Sequence, residues 1–135
     1  MNLPQKMIDM LEEEGPELRR LLEAAYQAVE KLGLTLHPQD SPNVIAEHPQ
    51  NGVNFVALWI KGRKGSRRVE GEVRVDGYIV DDLSTGMRDD IEIHKFDRDK
   101  KPLWWLLSID SREDIDKLCL IAKRVIARTP NWGTR

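Results

Sequence analysis

The chain has 135 residues, 40% of them hydrophobic and 33% charged, with a formal net charge of -2. That describes one soluble globular domain with a real core, and it excludes a disordered chain. The small acid excess argues against bulk attraction to nucleic acid or an anionic membrane. The single cysteine, Cys119, excludes an internal disulfide and a CxxC site.

Residues 3–14 place Leu3, Met7, Met10 and Leu11 at helical spacing, with Pro4 suited to a first turn. Asp9 and the cluster Glu12–Glu14 interrupt any signal-peptide pattern, and no apolar run approaches the roughly 20 residues of a membrane helix. A cytoplasmic location is expected, with no membrane contact. Gly15-Pro16 breaks the first helical segment, residues 1–15. A second helix begins at Pro16, with Leu18, Leu21, Leu22, Ala25, Val29 and Leu32 on its buried face and Gly33 as its cap.

Residues 34–52 carry His37-Pro38, Ser41-Pro42, His48-Pro49 and Asn51-Gly52, each a turn or extended signal. A short strand fits at Val44–Glu47. His37 and His48 lack Cys, Asp or Glu neighbours at ligand spacing and read as surface histidines.

Residues 53–60 form an apolar strand. Val53, Phe55, Ala57 and Trp59 fall on one face, and Val56, Leu58 and Ile60 on the other. Val69–Val75 alternates apolar and polar residues, the pattern of a half-exposed strand, and the two strands read as a β-hairpin. Their connection, KGRKGSRR, holds Lys61, Arg63, Lys64, Arg67 and Arg68 with two glycines. Exposed cations and a tightly turning backbone suit a phosphate or another polyanion. The alternative is a solvated hairpin loop whose charges balance an acidic neighbour. A P-loop is excluded, because GxxxxGK[ST] does not occur.

Residues 61–75 carry +4 (six basic, two acidic) and 76–99 carry -5 (three basic, eight acidic). Short strands are expected at Tyr78–Val80 and Ile91–Phe96, around a polar loop. Asp81, Asp82, Asp89, Asp90 and Glu92, with His94 and Lys95, form the best enzyme candidate. A metal-dependent nuclease needs converging carboxylates and a lysine near the attacking water. Glu92 and Lys95 are three apart, so a regular strand sends them to opposite faces. No catalytic residue, metal ligand or cofactor is assigned from the sequence.

Residues 102–128 form the most legible unit. A strand with apolar residues on both faces, Leu103–Ile109, leads into Ser111 and Asp114 at capping-box spacing. Ile115, Leu118, Cys119, Ala122, Val125 and Ile126 then make a helical stripe, and Pro130 stops the helix before the tail, 129–135. The expected fold is α+β: an antiparallel β-meander of three to five strands, flanked by N-terminal helices and one long C-terminal helix.

Over 53–128 the chain resembles a group of small bacterial domains found near the C-terminus of predicted transport proteins and beside restriction-associated proteins. The likeness rests on NFVALWIKGRK, on the strands after it, and on Ser111, Asp114, Asp116, Leu120 and Ile121. It implies a fold and a nucleic-acid context and no established activity. The chain departs from that group in ending TPNWGTR.

Pleating sends Trp104 and Trp105 to opposite faces of one strand. If both long helices cover one face, Trp104 and Leu106 are expected beside Val56 and Leu58 on an exposed patch, an interface for a protein partner or a second copy. Three functional readings stay open: a binding or interaction module, contacting nucleic acid through the basic loop; a metal-dependent nuclease or other hydrolase using 81–92; and a structural subunit without a ligand.

Overall fold

The computed structural model describes residues 1–75, 104–127 and Trp132. Three helices and five strands lie in these residues. Helix α1 spans Gln5–Glu12 and α2 Pro16–Glu30. Strands follow at Leu36–Pro38 (β1), Asn43–Glu47 (β2), Asn54–Lys61 (β3), Arg68–Arg74 (β4) and Trp104–Ile109 (β5), and α3 spans Arg112–Ala127. The strands form one antiparallel sheet in the order β1-β2-β3-β4-β5. The α+β fold expected from the sequence is the observed one. The strands expected at Tyr78–Val80 and Ile91–Phe96 lie outside the described residues.

Local chemistry explains the helix ends. Pro16 occupies the first turn of α2, where a missing N–H costs nothing. Gly33 adopts φ +87 just after that helix and donates to the Glu30 carbonyl at 2.9 Å. At the start of α3 the Asp114 N–H donates to Ser111 Oγ at 3.4 Å, and Asp114 Oδ2 accepts from the Asp110 N–H at 2.9 Å. The capping box closes with aspartate in the acidic place, reaching one residue further back than Ser111.

Both long helices cover the same face of the sheet. Helix α2 packs on β1, β3, β4 and α3, and α3 packs on β4 and β5. Val56, Leu58 and Ile60 of β3, Val69 and Val73 of β4, and Trp105, Leu107 and Ile109 of β5 join Leu22, Ala25 and Val29 of α2 and Leu118, Ile121 and Val125 of α3 in one buried cluster. Gly71 lies in the same face, and a Cβ there would come within 2.9 Å of Leu118 Cδ1. The missing side chain lets α3 sit close on the sheet.

Two features depart from the sequence expectation. Leu36–Pro38 is a strand that the sequence does not single out, anchored by the buried Leu36, with His37-Pro38 taking the extended form of its turn-or-extended signal. In the pairing of β2 with β3, Ala46 faces Val56 and Glu47 faces Asn54, so Phe55 is the extra residue of a β-bulge. The bulge re-aims Phe55 into the helix-side cluster, away from Ala57 and Trp59.

His48 is buried, which corrects its reading as a surface residue. Its Nε2 lies 3.0 Å from the Val125 carbonyl, and its Nδ1 accepts the Gln50 N–H at 3.2 Å. Those partners fix the tautomer with the proton on Nε2. The ring sits 5.1 Å from Phe55 and 6.2 Å from Trp132, so it fastens the β2–β3 turn to the end of α3. His37 is exposed.

Candidate functional site

With α2 and α3 on one side, the residues of opposite parity form the other face, on which no helix of the described residues packs, called here the helix-free face. Register aligns them in rows across the strands. One row runs Ile45, Ala57, Glu72, Leu106, and the next runs Trp59, Glu70, Ser108. Arg74 pairs with Trp104 at one end and Lys61 with Arg68 at the other. Ile45, Trp59, Trp104 and Leu106 are all half-buried.

A charge cluster occupies the middle of this face. Lys61 Nζ lies 3.3 Å from Glu70 and 3.5 Å from Glu72, and 4.8 Å from the centroid of the Trp59 ring. Arg68 adds a contact to Glu70 at 3.7 Å. The two carboxylate side chains keep only 11% and 14% of their exposure, so they are held largely out of water. Burial pushes the Glu72 carboxyl above its ordinary range, and the Glu70 charge adds to this; Lys61 and the Trp59 indole N–H oppose it. The sequence pattern places Glu70 and Glu72 on the solvated side of a half-exposed strand. Trp59 and Lys61 arrive beside them from β3, which only the hairpin register reveals.

The basic loop is folded against the rest of the protein. Gly62 and Gly65 take φ +101 and +90, the left-handed turns that glycine permits. The Gly65 N–H donates to Glu14 Oε1 at 2.7 Å. Arg67 donates to the Met10 carbonyl at 3.2 Å and pairs with Glu13 at 3.5 Å and Glu14 at 3.9 Å. The loop therefore clasps the corner between α1 and α2. Of the five cations singled out in the sequence, Lys61, Arg67 and Arg68 hold carboxylates, and Arg63 and Lys64 are exposed without an ion pair among the described residues. A groove of about 460 Å³ beside the clasp is lined by Glu14 and Glu17 as well as Arg20 and Arg67, so its charge is balanced.

The expected patch is divided by the sheet. Trp104 and Leu106 lie on the helix-free face, but Val56 and Leu58 are fully buried under the helices. The reason is cross-strand parity: Val56 faces Val73, and Val73 faces Trp105. The true neighbours of Trp104 and Leu106 are Arg74 and Glu72, with Ala57 and Trp59 one strand further.

Among the described residues, no three His, Cys, Asp or Glu side chains gather as a metal site. Asp81, Asp82, Asp89, Asp90, Glu92, His94 and Lys95 lie outside the described residues. Cys119 is half-buried on α3, and burial raises its thiol above the ordinary value. No helix of the described residues is long and apolar enough to cross a membrane. No protein-family model, curated protein or solved structure matches the chain.

Proposed function

We propose that the chain is a binding module that recognises a protein partner through the helix-free face of its sheet, around Trp59, Trp104 and Leu106. The observation that carries this reading is the half-exposure of these large apolar side chains around a charge cluster that is already internally paired. Aromatic anchors with a neutralised polar centre are the composition of a protein-recognition surface. Catalysis has no comparable support among the described residues, because Lys61, Glu70 and Glu72 are engaged with one another.

Contact with nucleic acid through the basic loop is the weaker reading. Only Arg63 and Lys64 retain cations free for phosphate among the described residues of that loop. A polyanion held there would be neutralised at two points, and its salt dependence would be correspondingly shallow.

Site-specific photo-crosslinking tests the proposal. A photoreactive aromatic residue replaces Trp104 in one variant and Lys123, exposed on α3, in another. In cells that naturally make the protein, position 104 should give a discrete protein adduct that position 123 does not. No adduct at 104, or the same adducts from both positions, would overturn it.

A further inference from the structure

The two edges of the sheet are unlike. Strand β1 is three residues long and ends in Pro38, the protected kind of edge. Strand β5, Trp104-Trp105-Leu106-Leu107-Ser108-Ile109, is the opposite edge among the described residues and contains neither charge nor proline.

Which of its amides are free follows from alternation. The Ile60 N–H donates to the Pro42 carbonyl, so in β3 the even residues turn their backbone groups toward β2. Ala57, Trp59 and Lys61 then bond to Glu72, Glu70 and Arg68 of β4. In β4 that leaves Val69, Gly71 and Val73 for β5, where they meet Ile109, Leu107 and Trp105. The N–H and C=O groups of Trp104, Leu106 and Ser108 therefore point outward along the edge. No partner for them lies among the described residues.

We infer that this edge pairs with the same strand of a second copy, antiparallel and centred on Leu106, making one sheet continuous across a two-fold axis. The inference goes beyond the reading of the helix-free face: it concerns the edge that borders that face and uses the backbone of β5, not the surface around Trp59. Antiparallel pairing about Leu106 sets Trp104 against Ser108 of the other copy, Leu106 against itself, and Ser108 against Trp104. All three positions have outward amides, so the match closes six inter-chain hydrogen bonds. Moving the centre by one residue along the strand loses two of them. Shifting the pairing sum by one aligns outward groups with inward ones and closes none.

The side chains are self-complementary in this register. A large Trp104 faces a small Ser108, and on the helix side Trp105 faces Leu107. No like charges oppose one another along the strand. Next to Trp104 in its row stands Arg74, and next to Ser108 in its row stands Glu70, so the joined row sets a cation of one copy and a carboxylate of the other on either side of the seam. The two-fold axis is perpendicular to the sheet, so both helix-free faces lie on one side and the two Leu106 side chains meet at its centre.

Sedimentation velocity over a concentration series tests this, with three variants of the full chain. The wild type should move from 15.6 kDa toward twice that mass as concentration rises. Ser108→Pro removes an outward N–H that has no partner among the described residues, and it should weaken association at least roughly tenfold with an unchanged circular dichroism spectrum. Leu106→Lys brings two cations together at the axis and should do the same should the proline variant fail to fold. Trp59→Ser, two strands from the edge, should leave the dimer intact. A wild type that stays at 15.6 kDa throughout overturns the inference. So does a dimer indifferent to both Ser108→Pro and Leu106→Lys. If such a dimer is dissolved by Trp59→Ser, face docking survives and edge pairing does not.

Discussion

Replacing Arg67 with Ala separates a structural loop from a ligand-binding one. The Arg67 side chain keeps 12% of its exposure and makes three contacts to the α1–α2 corner. Its hydrogen bond to the Met10 carbonyl, from a charged donor at 3.2 Å, carries most of the effect, about 1.5–3 kcal/mol. The Glu13 pair involves a carboxylate 41% exposed, so solvent holds its contribution to about 0–1 kcal/mol. The Glu14 pair is longer, at 3.9 Å, and Glu14 keeps its bond from the Gly65 N–H. Arg67→Ala should therefore cost about 2 kcal/mol, a fall in Tm of roughly 6–10 °C for a domain of this size. Lys64→Ala, in the same loop but exposed, should stay within about 0.5 kcal/mol of the wild type. Urea unfolding followed by circular dichroism gives both values, and a double-mutant cycle with Glu14→Gln should show coupling above about 0.5 kcal/mol. If Arg67→Ala costs no more than Lys64→Ala, the clasp is not structural.

Gly71→Val should destabilise by roughly 1–3 kcal/mol in the same assay, because any Cβ meets Leu118 and the added methyls force α3 outward. His48→Ala should cost about 2–3 kcal/mol, since the Val125 carbonyl and the Gln50 N–H each lose a bond; His48→Gln, which can restore one of them, should recover part of the loss in thermal melts. The raised Glu72 carboxyl makes the folded chain hold its proton more tightly than the unfolded chain does. That contribution to stability is complete below the ordinary value of 4.5 and is lost as pH rises through the higher folded value. Glu72→Gln should flatten the fall of Tm with pH just above 4.5 and should match or exceed the wild type at neutral pH, with Lys61 keeping Glu70.

Short-range chemistry was the readable part of the sequence. Ser111 and Asp114 announce the start of α3, and Pro16 and Gly33 bracket α2, because caps act over three or four residues. Alternation in Val69–Val75 and in Trp104–Ile109 identifies strands for the same reason. What failed was relation between strands. The sequence pattern groups Trp104 with Val56, although the register pairs Val56 through Val73 with Trp105; a slip of one residue exchanges the faces. Phe55 changes sides through a bulge that a strict period of two does not contain. The clasp is not legible in the sequence because Arg67 and Glu14 are more than fifty residues apart, and a run of cations looks alike whether it meets solvent or carboxylates. The pair Glu70 and Glu72 is illegible in the same way, since its neighbours Trp59 and Lys61 come from β3.

Residue-resolved amide hydrogen exchange by NMR, at a low and a high protein concentration, addresses the open edge most directly. At low concentration Trp105 and Leu107 should be strongly protected by β4, and Leu106 and Ser108 should exchange quickly. At high concentration Leu106 and Ser108 should gain protection and approach their neighbours. Equal protection of all four at both concentrations would mean that the protein's own chain closes the edge. Fast exchange of Leu106 and Ser108 at both would mean that no second copy pairs with it.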